Sequence, residues 1–320
     1  MDQKREGSPD AATLVAFAGI VLIAGVNFVA VRFSNRELAP FYGAAVRFSI
    51  AAALLFVFVA IRRVPLPRGR SMLGTLVYGV LGFAAFYAFA YWALQDLSAA
   101  TAAVIAASVP LLTLLFAVLH RVEGFRWRAV LGGLLAVSGI AVMVSGAGRL
   151  ESPWVSVLVM LGAIARAAES TVILKRFAPI HPVSTNALAM LVGGGLLFLL
   201  SLIAGEPWIV PQRGATWLTL AYLIPVGSLA LFGLYLFSLD RWTASGVSYM
   251  FVLTPIVASI AGVVLEDARI TAGLFAGGLV VLAGVYLGAF TGARKREAPQ
   301  PAPECCPPVE EEAVARRASP

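Results

Sequence analysis

Apolar residues along this chain neither alternate with polar ones nor recur on one helical face; they run in blocks of about twenty, parted by short polar segments. Ten blocks can be drawn, at 11–31, 41–61, 72–92, 98–119, 127–147, 153–174, 184–204, 216–238, 245–265 and 270–291. A helix rises about 1.5 Å per residue, so blocks of this length match a hydrocarbon core ~30 Å thick. The pattern predicts an all-α polytopic membrane protein with ten transmembrane helices. The first block follows Lys4 and Arg5 but is longer than the apolar region of a cleaved signal, and its end, FVAVRF, lacks a small-x-small site, so it reads as a span.

The blocks repeat. Sliding the chain along itself by 145 residues lays 94–139 over 239–284 without a gap. Leu94/Leu239, Ala99/Ala244, Pro110/Pro255, Val118/Val263, Gly132/Gly277, Gly133/Gly278, Leu134/Leu279 and Gly139/Gly284 are then identical. Leucine and alanine matches arise from composition in any two apolar helices; paired prolines and glycines at one offset do not. The chain therefore divides into an N-terminal tail at 1–10, two five-helix repeats at 11–147 and 153–291, and a C-terminal tail at 292–320. That last segment, rich in Pro, Glu and Ala, reads as disordered. Five is odd, so the second repeat enters the membrane from the opposite face. Inverted repeats of this kind build many secondary transporters, in which one half rocks against the other around a central site.

Composition agrees and charge orients the chain. Of the residues 60% are apolar and 13% charged, against ~25% charged in soluble domains. The net charge of +7 does not indicate a nucleic-acid partner. With the N-terminus placed in the cytoplasm, 17 of the 24 Lys and Arg fall on cytoplasmic segments and five on outer loops, leaving Arg47 and Arg166 within spans. This is the positive-inside bias, and it predicts an inner (plasma) membrane protein with both termini cytoplasmic. Arginine far outnumbers lysine, and with abundant alanine that suits a bacterial chain from a GC-rich genome. Cys305 and Cys306, adjacent in the tail, read as solvated thiols.

With the repeat in place, the chain resembles the drug/metabolite transporter superfamily, in its ten-helix EamA-type branch. AGVNFVAVRF in the first span is similar to that family's small-residue, Asn-Phe ending, and PFYGAAVRFSIAAALL to its second-helix pattern with an embedded arginine, here Arg47. FYAFAYWALQDLSAATAAVIAASVPLLTLLFAVL and YLFSLDRWTASGVSYMFVLTPIVASIAGVVLEDARI follow its aromatic, small-residue and proline signature. The family usually places an acid after the fourth helix of each half: Glu266 fits, whereas Arg121 takes the equivalent place in the first half, with Glu123 two residues on. The resemblance implies ten-helix architecture and export of amino acids, other metabolites or drugs.

The residues able to carry chemistry are the polar ones inside spans, where an ionisable group costs several kcal/mol and normally faces a cavity or a partner. Arg166 and Glu169 lie three apart on one helix face. Either Glu169 accepts a proton or a substrate ammonium while Arg166 holds a substrate carboxylate, or the two form an ion pair that only compensates its own burial. Arg47 either holds an anionic group or snorkels outward. Asn27 is placed to bond a neighbouring helix or substrate. Tyr87 and Tyr249 are the expected aromatic lining residues, while Tyr91 and Trp92, at the end of their span, read as members of an interfacial belt. Pro110 and Pro255 are hinge candidates. Gly273, Gly277, Gly284 and Gly288 form a smooth stripe suited to packing within the bundle or to a homodimer contact.

Absences narrow the function. The chain has no Gly-Lys dipeptide and hence no Walker-type loop, no H-E-x-x-H and no G-x-S-x-G, and its two histidines, His120 and His181, fall in loops. No catalytic residue, metal site or cofactor is expected. The reading is a secondary transporter, not an enzyme. It exports a small polar metabolite, an amino acid or similar, by alternating access, and protons are the candidate coupling ion. A lipophilic-drug exporter and a non-transporting scaffold subunit are the rival readings.

Overall fold

The computed structural model describes residues 10–120, 127–145, 154–175, 181–241, 247, 250–267 and 271–287. Tyr249, Gly288, Arg121, Glu123, Cys305, Cys306 and the C-terminal tail lie outside them. Helices account for nearly all of the described chain. In order they are α1 (Ala11–Asn35), α2 (Pro40–Arg62), α3 (Arg70–Ala93), α4 (Ala99–Ala106 and Val109–Leu119), α5 (Trp127–Ser145), α6 (Trp154–Lys175), α7 (Pro182–Ile203), α8 (Gly214–Arg241), α9 (Met250–Glu266) and α10 (Ala272–Val285). Among the described residues seven helices are long and apolar enough to cross a bilayer. Three shorter apolar helices, Leu131–Val142, Met250–Glu266 and Ala272–Gly284, stand at the fifth, ninth and tenth expected spans. Large apolar side chains such as Leu22, Val57, Leu158 and Leu202 remain exposed on the outside of the bundle, as a lipid-facing surface requires.

Local chemistry starts the helices. Asp10 caps α1, accepting from the Thr13 N–H at 2.9 Å, and Ser98 and Thr271 cap α4 and α10 in the same way. Pro40 and Pro182 open α2 and α7, where a missing N–H costs nothing. The cap of α2 comes from the other half: the carboxylate of Glu206 accepts from the Phe41 and Tyr42 N–H groups at 3.1 and 2.8 Å.

The two halves interlock about a pseudo-two-fold axis. α2 packs on its repeat mate α7, and α5 on its mate α10. α1 packs on α8 and α9 of the second half, while its mate α6 packs on α3 and α4 of the first. The exchange holds at the level of single residues. A Cβ added to Gly139 would lie 2.8 Å from the Gly277 carbonyl and 2.7 Å from the Val281 nitrogen. One added to Gly284 would lie 2.6 Å from the Gly132 carbonyl and 2.7 Å from the Ala136 nitrogen. Shifting the first set by 145 residues gives the second. The stripe containing Gly277 and Gly284 is thus covered inside the chain by α5, and for these two glycines the packing reading replaces the homodimer one.

Two local departures bear on function. α3 and α8 each widen to π geometry at equivalent places, Gly79–Ala85 and Pro225–Ala230. In α8 Pro225 has no N–H to give, and the Ser228 hydroxyl supplies a donor to the Leu223 carbonyl at 2.9 Å. The paired prolines also differ in effect. α4 breaks at Ala107 and Ser108, so Pro110 sits in the first turn of a new segment, whereas Pro255 lies inside the continuous α9.

Candidate functional site

Between the halves lies a cavity of about 110 Å³ whose wall is built from α1, α2, α3, α6, α8 and α9. Its lining follows the repeat. Ala24/Ala167, Asn27/Ser170 and Phe28/Thr171 are pairs 143 residues apart on α1 and α6, whose first residues, Ala11 and Trp154, differ by the same number. Phe86/Leu231, Tyr87/Phe232 and Ala90/Tyr235 are pairs 145 apart on α3 and α8. The cavity therefore straddles the pseudo-two-fold axis, where inverted-repeat transporters hold their substrates. The π segment of α3 lines it through Gly82, and that of α8 lies behind two lining residues, Asn27 and Arg47. Gly227 admits Asn27, whose Oδ1 lies 2.5 Å from where a Cβ would stand, and Gly82 similarly admits Ser170, with Oγ 3.1 Å from its Cβ position.

Charge breaks the symmetry. Arg47, on α2, is wholly buried and lines the cavity. It does not snorkel. Its Nε donates to Ser228 Oγ at 2.8 Å, Nη1 to the Tyr91 hydroxyl at 3.1 Å and Nη2 to the Gly227 carbonyl at 2.5 Å. Asn27 Nδ2 donates to the same carbonyl at 3.0 Å. The guanidinium also lies over the rings of Phe48 and Tyr87, at 4.9 and 5.5 Å. Among the described residues no carboxylate pairs with it. A guanidinium has five N–H donors, so these three bonds leave one on each Nη. The α7 residue matching Arg47, counted from Pro40 and Pro182, is Ala189.

The expected site residues separate on this frame. Arg47, Asn27 and Tyr87 converge on the cavity. Tyr91 joins them: it is 1% exposed, lines the cavity and bonds Arg47, which corrects its assignment to an interfacial belt. Arg166 and Glu169 form an ion pair at 2.8 Å, with side chains 37% and 21% exposed, and neither lines the cavity. The face of α6 that does so carries Ala167, Ser170 and Thr171; at 3.6 residues per turn Glu169 points about 150° away from it. Tyr78, Ser170, Thr171, Gly227 and Ser228 belong to the site without having been singled out. Gly82/Gly227 at the 145-residue offset was the signal available for the bulges.

Beyond Tyr91 and Leu94 a polar layer ties the halves together. Asn35 Nδ2 donates to the Tyr91 carbonyl at 2.8 Å and Arg32 Nη1 to the Leu97 carbonyl at 2.6 Å. The carboxylate of Glu266, at the end of α9, pairs with Arg32 at 3.3 Å and Arg36 at 3.1 Å, both from α1. Glu37 accepts from Thr216 and from the backbone of Gln212 and Arg213, joining the α1–α2 loop to α8.

Comparison with known proteins agrees with this architecture. An inner membrane transporter of Escherichia coli K12, YedA, is 29% identical over 251 residues, which span 77% of this chain and 80% of that one. A protein of the same organism named "Probable amino-acid metabolite efflux pump" is 25% identical over 293 residues, 87% of this chain and 95% of that one. A protein of known crystal structure shares the fold with a TM-score of 0.66 at 22% identity, over 90% of this chain and 100% of that one. The model of the EamA-like transporter family matches residues 11–145 and again 153–290. This multi-pass, all-helical chain, two repeats around one cavity, belongs to the EamA-like transporter family.

Proposed function

We propose that this transporter exports a small carboxylate-bearing metabolite by alternating access, with Arg47 as the residue that holds the carboxylate. One observation carries the reading: a fully buried cation on the wall of a cavity between the halves, with no carboxylate partner among the described residues and two donors left over. A buried charge left unpaired costs several kcal/mol, and an anionic cargo removes that cost when it binds. The efflux pump among the relatives supports export as the direction. Tyr87, Tyr91 and Asn27 shape the rest of the pocket, and the Glu266 layer closes one end while the halves rock. Lipophilic-drug export receives less support, because a neutral or cationic drug leaves Arg47 unpaired.

The test is metabolite profiling of the medium of cells overproducing the wild type or Arg47→Gln at matched membrane levels. The expected result is one class of carboxylates accumulating outside with the wild type alone. Equal accumulation with both proteins defeats the assignment of Arg47.

A further inference from the structure

Resting on the reading of Arg47 as the anion site, we infer that the cargo is an aromatic monocarboxylic acid without an ammonium group, rather than an amino acid. The argument is a charge count along the cavity wall. Arg47 is the one ionised side chain among the described residues that line it. Each acid of the described chain is engaged or placed elsewhere. Glu37, Glu206 and Glu266 belong to the polar layer at the α1–α2 loop end. Asp96 accepts from Ser156, Glu169 holds Arg166 and Asp10 caps α1, while Asp240 and Asp267 are exposed. The segment 242–249, which leads into α9, reads WTASGVSY and contains no acid.

A monoanion brings the charge of the cavity to zero. A zwitterion leaves it at one positive charge and sets a second cation near Arg47 with no carboxylate to receive it. Neutral acceptors on the wall, the unpartnered Asn27 Oδ1 and the hydroxyls of Ser170, Thr171 and Tyr235, can bond an ammonium but carry no charge to set against it. In a wall this apolar an unmatched ammonium bears most of its desolvation penalty.

The body of the cargo follows from the same wall. Eight of its twenty lining residues are Phe or Tyr. Phe86 meets Tyr87 edge-on at 4.6 Å, and Tyr87 lies between Arg47 and Phe232, with ring centroids 6.3 Å apart. Such rings receive a flat ring by edge or offset contact. The volume of about 110 Å³ is of the order of the ~150 Å³ apolar cavity that accepts a benzene molecule. A carboxylate held by the two free Nη donors of Arg47 leaves the ring of an arylalkanoate among these side chains.

Calorimetric binding to the purified full chain in lipid nanodiscs tests this with three probes that share one ring: 3-phenylpropionate, L-phenylalanine and phenethylamine. The expected order is 3-phenylpropionate at least tenfold tighter than phenylalanine and no binding of phenethylamine, with 3-phenylpropionate binding lost in Arg47→Gln and partly kept in Arg47→Lys. Circular dichroism and gel filtration of both variants establish that they fold. Phenylalanine binding as tightly as 3-phenylpropionate, and through Arg47, overturns the exclusion of the ammonium while leaving Arg47 as the anion site. Silence of all three probes overturns the aromatic class. Lactate and succinate then decide the Arg47 reading, which stands if either binds in an Arg47-dependent way. Carboxylate binding that survives in Arg47→Gln overturns both.

Discussion

Replacing Arg47 with methionine separates a structural arginine from a substrate-holding one, because the two roles predict opposite pairs of results. The substitution keeps most of the side-chain volume and removes the charge. It deletes three hydrogen bonds, yet most of their partners are not stranded. The Gly227 carbonyl keeps Asn27 at 3.0 Å, and Ser228 keeps its bond to the Leu223 carbonyl at 2.9 Å. Only the Tyr91 hydroxyl loses its partner outright, a cost of about 1–3 kcal/mol for a buried polar group. Against this stands release from holding an unpaired guanidinium out of water, itself worth several kcal/mol. The fold of Arg47→Met is therefore expected to be as stable as the wild type or more so. Binding moves the other way. A charge-assisted contact worth about 3 kcal/mol corresponds to roughly a hundredfold in affinity. The assay pairs thermal melting in detergent with efflux from cells at matched expression. A melting point at or above that of the wild type, with efflux down about a hundredfold, is the expected result. A melting point lowered by ten degrees or more, with efflux falling only in step with the amount of folded protein, refutes the reasoning and makes Arg47 a cross-brace between α2 and α8.

Four further outcomes follow from the geometry. Gly139→Ala and Gly284→Ala each force α5 and α10 apart, so each is expected to cost about 1–3 kcal/mol; matched falls in melting temperature test the two-fold relation, and a large fall in one variant only denies it. Glu266→Gln weakens the α1–α9 ion cluster, so a cysteine at Leu94, in a background without Cys305 and Cys306, should react faster with an impermeant maleimide added from the α1–α2 loop side. Arg166→Gln with Glu169→Gln should transport like the wild type although Glu169→Gln alone is destabilised, and loss of efflux in the folded double variant would return that pair to the mechanism. The Glu37 carboxyl is held below its ordinary 4.5, first by the Thr216 hydroxyl and then by the Gln212 N–H. Its contribution is thus present above that value and disappears as pH falls through the lower folded one; Glu37→Gln should flatten the acid side of a melting-temperature profile between pH 3 and pH 7.

Block length and the 145-residue offset made the helices and their two repeats readable, because both depend on residue type counted along one chain, whereas the exchange of α1 and α6 between the halves was not. Paired glycines are informative for a physical reason: Gly139 and Gly284 sit where backbones approach too closely for any side chain. The site was readable only in part. Arg47 stood out as a charge in a span, but two of its three bonding partners lie about 180 residues away on a π segment that no apolar period reports. Tyr91 was placed in a belt from its position at the end of a span, which does not report that it shares the inward face of Tyr87 and reaches Arg47. Arg166 and Glu169 drew attention as charges, but a helix apolar all round does not reveal which face turns inward. Pro110 and Pro255 show the same limit: equivalent prolines gave a broken helix in one half and a continuous one in the other.

The contrast between a two-fold scaffold and a single cation is itself an argument about transport. On the alternating-access reading the halves exchange conformations, and six wall residues of α1 and α3 have mates on α6 and α8, among them Asn27 with Ser170 and Tyr87 with Phe232. A binding charge needs no mate, because the axis passes through the cavity and Arg47 stays beside it whichever half moves. A second arginine at Ala189 would set two cations about one apolar space and leave a bound monoanion with an excess positive charge. Ala189→Arg is therefore expected to insert poorly or, where it folds, to shift selectivity towards dicarboxylates. Undiminished efflux of monocarboxylates by a folded Ala189→Arg protein would show that the charge of the cavity does not select its cargo.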